Sequence, residues 1–68
     1  MTINVTVNGE PRLLAAAVSV ADMLEELGLN PAKVAVERNL EIVPRSTYGD
    51  VRVAEGDAYE IVRFIGGG

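Results

Sequence analysis

Only one stretch of this chain carries helical periodicity, and it is too short to fold by itself. Val20, Met23, Leu24 and Leu27 fall at i, i+3, i+4 and i+7, an apolar stripe with Asp22, Glu25 and Glu26 off it. Ser19 is placed to cap the N-terminus, and Asp22 three residues on gives a weak form of the capping box. Gly28 suits the position after the C-cap, and Asn30-Pro31 prevents continuation. A helix of about nine residues is marginal in water unless it packs on something. The rest of the chain has to supply that surface, and its pattern is that of strands.

Ile3, Val5 and Val7 alternate with Thr2, Asn4, Thr6 and Asn8, a half-buried strand. Asn8-Gly9 predicts a hairpin turn, because both residues tolerate positive φ. Pro11 to Ala15 returns as a second strand, and Pro11, lacking an N–H, fits only an edge strand or the first position of that strand. Val34 and Val36 mark a third strand and Asn39 a turn. Ile42-Val43 is a short apolar segment ended by Pro44, and Ser46 to Asp50 is a turn or a single helical turn. Val51 and Val53 suggest a short strand, and Glu55-Gly56-Asp57 a turn. Ala58 to Phe64 is the last strand. Its apolar residues lie on both faces, which predicts a central place in the sheet. The expectation is an α+β domain in which one helix covers one face of a mixed four- or five-stranded sheet, with the first and last strands adjacent.

With 68 residues the chain is a single domain, 1–68, that buries roughly 60% of its unfolded surface. There is no Cys, which removes disulfides, thiol nucleophiles, iron–sulfur clusters and thiolate zinc sites. There is no His, the usual general base near neutral pH and the commonest metal ligand. The net charge of −4, with one Lys and scattered Arg, disfavours nucleic acid as a partner. No apolar run approaches the ~20 residues that span a bilayer, and the alternating start is unlike a signal peptide, so the expected location is the cytoplasm.

What remains is the end of the sequence, Phe64-Ile65-Gly66-Gly67-Gly68. One reading is a frayed terminus. The other is a working one. Glycine maximises backbone freedom, so residues 65–68 are expected to form a flexible tail, and four residues past Phe64 reach at most about 13 Å. A stalk without side chains can thread a channel that any Cβ would block. A carboxylate on Gly68, ionised above an ordinary α-carboxyl pKa of about 3.5, is a poor electrophile until an oxygen becomes a leaving group. Adenylation achieves that, and a sulfur donor can then displace AMP and leave a thiocarboxylate. The glycines lack the Lys-Ser/Thr of a phosphate-binding loop, so a separate enzyme must bind the ATP.

Several segments together resemble the ThiS family, the bacterial sulfur carriers of thiamine biosynthesis. They are Val34-Ala35-Val36-Glu37, Asn39, Ile42-Val43-Pro44-Arg45, Glu55-Gly56-Asp57 and the Phe64 to Gly68 ending. Asn8-Gly9-Glu10 and Leu24 to Leu29 are similar to that family too. The resemblance implies a β-grasp, ubiquitin-like fold. It implies adenylation of Gly68 by a ubiquitin-activating-like adenylyltransferase, sulfur loading from a cysteine-desulfurase relay, and delivery to thiazole synthase. The chain would then be a protein co-substrate rather than an enzyme, binding no cofactor or metal itself, and a monomer when free. Tyr48 stands where the family often has Trp, and Gly66 where Ala also occurs. Carriers for molybdopterin or tRNA thiolation, and ubiquitin-like modifiers, share the terminal Gly-Gly.

Gly66, Gly67 and Gly68 are therefore the expected threading residues. Ile42, Val43 and Arg45 are either a partner-docking patch or a buried strand end followed by a solvated Arg. Phe64 either anchors the tail in a partner or completes the core, while Ile65 is the better docking candidate. Tyr48 is expected to pack rather than to act as an acid. Asp50, Glu55 and Asp57 lack the spacing of a calcium loop.

Overall fold

Val20–Glu26 forms the one α-helix among the described residues, α1, and its termini explain its length. The capping box is complete: the Asp22 N–H donates to Ser19 Oγ and the Ser19 N–H to Asp22 Oδ2, both at 3.0 Å. At the other end Gly28, at φ +74°, donates to the Glu25 carbonyl, and Leu29 to the Leu24 carbonyl. This is a Schellman motif, in which a left-handed residue satisfies the orphan carbonyls of the last turn. Val20, Met23 and Leu24 are fully buried.

The computed structural model describes residues 1–64, so the expected tail at 65–68 lies outside the described residues. The helix lies on a five-stranded mixed sheet. The strands are β1 (Thr2–Val7), β2 (Glu10–Ala15), β3 (Val34–Arg38), β4 (Glu41–Val43) and β5 (Ala58–Arg63), in the order β2-β1-β5-β3-β4. Only β1 and β5 run parallel. The first and last strands are side by side and the last is central, the arrangement of a β-grasp domain. Val5, Val7, Leu14, Val34, Val36, Val43, Tyr59 and Ile61 join the helix residues in the core. Pro11 sits in β2, an edge strand, where its missing N–H costs no ladder bond.

Asn8-Gly9 and Asn39-Leu40 both turn their hairpins with two residues at positive φ. Pro44 to Tyr48 contains the single turn of 3₁₀ helix expected near there, at Arg45–Thr47. Residues 51–53 differ from expectation. They form no strand but one antiparallel bridge, Ser19 to Arg52, with Val20 N–H bonded to the Val51 carbonyl and Val53 N–H to that of Val18. The alternation of Val51 and Val53 reflects one side chain half-buried and one buried beneath the helix entry, with no neighbour to extend the pairing.

Candidate functional site

The strand that leads into the glycines is clamped on both sides. β5 pairs with β3 from Tyr59 opposite Arg38 to Arg63 opposite Val34, and the Phe64 N–H donates to the Lys33 carbonyl at 2.9 Å. On the other side the parallel ladder with β1 covers only Ala58 and Tyr59. The Asn8 side chain then replaces backbone. Its Oδ1 accepts from the Ile61 N–H at 2.7 Å, and its Nδ2 donates to the Ile61 carbonyl at 3.2 Å. The turn residue that folds the hairpin thus also holds the last strand in register.

Phe64 is 54% exposed, so it does not complete the core. The Arg45 guanidinium lies 5.9 Å from its ring centroid, within cation–π range, and Nη2 donates to the Val34 carbonyl at 3.3 Å. Arg45 is therefore tied to Phe64 and to the end of β3 beside it rather than merely solvated. Tyr48, buried, donates its hydroxyl to the same carbonyl, which fits its expected packing role. Ile42 is 77% exposed. Val43, expected with it in the docking group, is instead buried, because strand alternation turns adjacent residues to opposite faces and Val43 pairs with core residue Val36. Of the candidate docking residues, the structure brings Arg45 and Phe64 together, turns Ile42 outward on the edge strand, and puts Val43 in the core. Ile65, Gly66, Gly67 and Gly68 fall outside the described residues.

A second polar cluster lies at the opposite end of β5, and sequence reasoning gave it only a turn. Asp57 is 5% exposed. Its Oδ2 accepts from Arg38 Nε, the Ala54 N–H and the Tyr59 hydroxyl, each at 2.9 Å, and its Oδ1 from Asn39 Nδ2 at 3.2 Å. Burial acts to raise the pKa of the carboxyl, but these donors outweigh it and hold it below the usual range. Burial and the bond to Asp57 push the Tyr59 phenol well up. Glu55 Oε1 accepts from the Asn4 N–H, the Gly56 N–H donates to the Asn4 carbonyl, and the Thr6 N–H donates to the Asp57 carbonyl. The Glu-Gly-Asp turn thus extends the pairing beside β1. Asp57 spends both carboxylate oxygens and Glu55 one on protein donors, and among the described residues no three acidic side chains converge as metal ligands.

The groove beside Ile42, between Arg38 and Pro44, holds about 250 Å³, below the roughly 300–1,000 Å³ of ordinary small-molecule pockets. No helix among the described residues is long and apolar enough to cross a membrane.

A search of protein families matches residues 5–68 to the ThiS family. Over 66 residues, 97% of this chain, it is 54% identical to a thiazole synthase of Paramagnetospirillum magneticum, of which it spans only 20%. It is 40% identical over 50 residues to the sulfur carrier protein ThiS of Bacillus subtilis, covering 74% of this chain and 76% of that one. The crystal structure of the thiamine biosynthesis protein ThiS from Geobacter metallireducens superposes with a TM-score of 0.83 at 36% identity, covering 97% of this chain and all of the other. The β-grasp topology, the Asn8, Asn39 and Glu55-Gly56-Asp57 contacts that fix it, and a family match running through the final glycines converge on one assignment: the chain belongs to the ThiS family.

Proposed function

We propose that this protein is a sulfur carrier of thiamine biosynthesis and that its reactive group is the Gly68 carboxyl. The observation that carries the reading is the ThiS family match, which extends through the glycine run. In the proposed cycle a Gly68 carboxylate oxygen attacks the α-phosphorus of ATP in a ubiquitin-activating-like adenylyltransferase. Pyrophosphate leaves and an acyl adenylate forms. The terminal sulfur of a persulfide on a cysteine-desulfurase relay then attacks the carbonyl carbon and expels AMP, forming an acyl disulfide. A thiol reductant cleaves its S–S bond to leave a thiocarboxylate on Gly68 and a disulfide of the thiol and the relay cysteine. This product gives its sulfur to thiazole synthase. The likeness to a segment of a thiazole synthase supports that destination over molybdopterin or tRNA thiolation.

In this reading the chain is a co-substrate. Its described residues supply a last strand held to β3 as far as the Phe64 N–H, with Arg45 and Phe64 exposed at its end and Ile42 exposed on β4 as further contact surface. Gly66 and Gly67 pass through the partner's channel, with Ile65 seated at its mouth. ATP belongs to the partner. The test is incubation with ATP and the adenylyltransferase of the same genome, followed by intact mass. An added AMP moiety, dependent on Gly68, is expected, and no adduct on wild-type protein would refute the proposal.

A further inference from the structure

The negative net charge conceals a local reversal of sign. Lys33, Arg45 and Arg63 meet where β5 ends. The Lys33 carbonyl holds the Phe64 N–H, Arg63 is paired with Val34, and Arg45 bonds the Val34 carbonyl while lying over the Phe64 ring. Lys33, Arg63 and Phe64 also line one cleft of about 170 Å³. All three cations belong to exposed residues. Of the other basic groups, Arg38 pairs with Asp57 and Arg52 donates to the Ala17 carbonyl at 2.7 Å, while Arg12 lines a second groove with Glu10 and Arg63. Among the described residues none of the three has a carboxylate within ion-pair distance.

Three like charges gathered at one edge repel one another, and the fold gains no ion pair from them. We propose that Lys33, Arg45 and Arg63 form a cationic collar that docks on an acidic protein surface framing the pocket that receives the tail. This rests on the function proposed above. The reach of the chain selects the partner's chemistry. Four residues, Ile65 to Gly68, carry the chain from Phe64 to the reacting carboxyl, a reach of up to about 13 Å, so a tail extended into the partner's pocket leaves the collar at the surface around its mouth. What the collar meets is the protein rim. Opposite charge there steers encounter and raises the association rate, an effect that salt screens.

The test uses the full chain and the adenylyltransferase of the same genome, measuring association rate and adenylation kinetics across ionic strength. K33Q/R63Q removes two positive charges. T2E/A54E, at exposed positions away from the collar, changes net charge equally and serves as control. The expected result is a fall of about tenfold in association rate and kcat/KM for K33Q/R63Q at low salt, with kcat unchanged and the gap closing at high salt. The control should stay within about twofold of wild type. K33Q alone, at a side chain that makes no hydrogen bond among the described residues, should move the same way by a smaller factor and guards against misfolding of the double variant. Equal losses for collar and control, or no loss for the collar, would overturn the proposal. A fall in kcat would put the collar at the nucleotide and also overturn it. Wild-type protein that binds but is never adenylated would refute the chemistry of Gly68 alone, while absence of wild-type binding would refute both.

Discussion

At the scale of single residues the sharpest test of the fold is Asp57. One buried carboxylate gathers the side chains of Arg38, Asn39 and Tyr59 and the Ala54 N–H, which ties the β3–β4 turn to the start of β5. Asp57→Ala strands these donors, and the expected loss is about 3 kcal/mol in urea unfolding. The pH dependence has a definite sign. Because the folded carboxyl sits below its ordinary value, the unfolded chain binds this proton more readily. Its contribution is complete above about pH 4 and is lost as pH falls through the lower folded value. Asp57→Asn should flatten the acid limb of the stability curve, and an unchanged limb would disprove that assignment. Leu40 makes the opposite prediction. It is 88% exposed at φ +71°, a left-handed conformation that costs a non-glycine residue about 1–2 kcal/mol. Leu40→Gly should therefore raise the melting temperature, with a net gain of about 0.5–1 kcal/mol after glycine's greater unfolded-state freedom. The Asp57 cluster was hidden in the sequence because its partners come from positions 38, 39, 54 and 59, brought together only by the topology. The Asn39 turn and the Glu55-Gly56-Asp57 turn were visible, but not their joint purpose.

At the scale of elements, local chemistry was most legible where ends are set by neighbours in sequence. Ser19, Asp22 and Gly28 mark α1 because capping groups act within three or four residues of what they cap. Ser19→Ala should cost about 1 kcal/mol and lower helicity by circular dichroism, with Ser19→Asp close to wild type. The alternation of residues 51–53 misled because period two records which side chains are buried, not whether a neighbouring strand exists. The parallel β1–β5 contact is another matter. Its upper half depends on the Asn8 amide, and sequence showed only that Asn8 suits a turn. Asn8→Gly keeps the turn but removes both bonds to Ile61. Hydrogen exchange at the Ile61 amide should accelerate in that variant more than at Val36, which is held by β3's own ladders.

For the molecule as a whole, the sheet presents a last strand fixed as far as Phe64, with Ile42, Phe64 and the three cations exposed around it. The docking group was only half legible. Ile42 and Arg45 could be picked out by resemblance, whereas alternation within a three-residue strand decides that Val43 turns inward. Lys33 and Arg63 lie thirty residues apart in sequence, and antiparallel pairing makes them neighbours. Removal of Gly67-Gly68 should leave the melting temperature unchanged, since glycine has no side chain to bury. The most direct measurement is the intact mass of the protein after incubation with ATP, the adenylyltransferase and the desulfurase relay, with the modification located by fragmentation. Replacement of one oxygen by sulfur at Gly68, absent without ATP, is the predicted result. An unmodified Gly68, or sulfur carried anywhere else on the chain, would contradict the account.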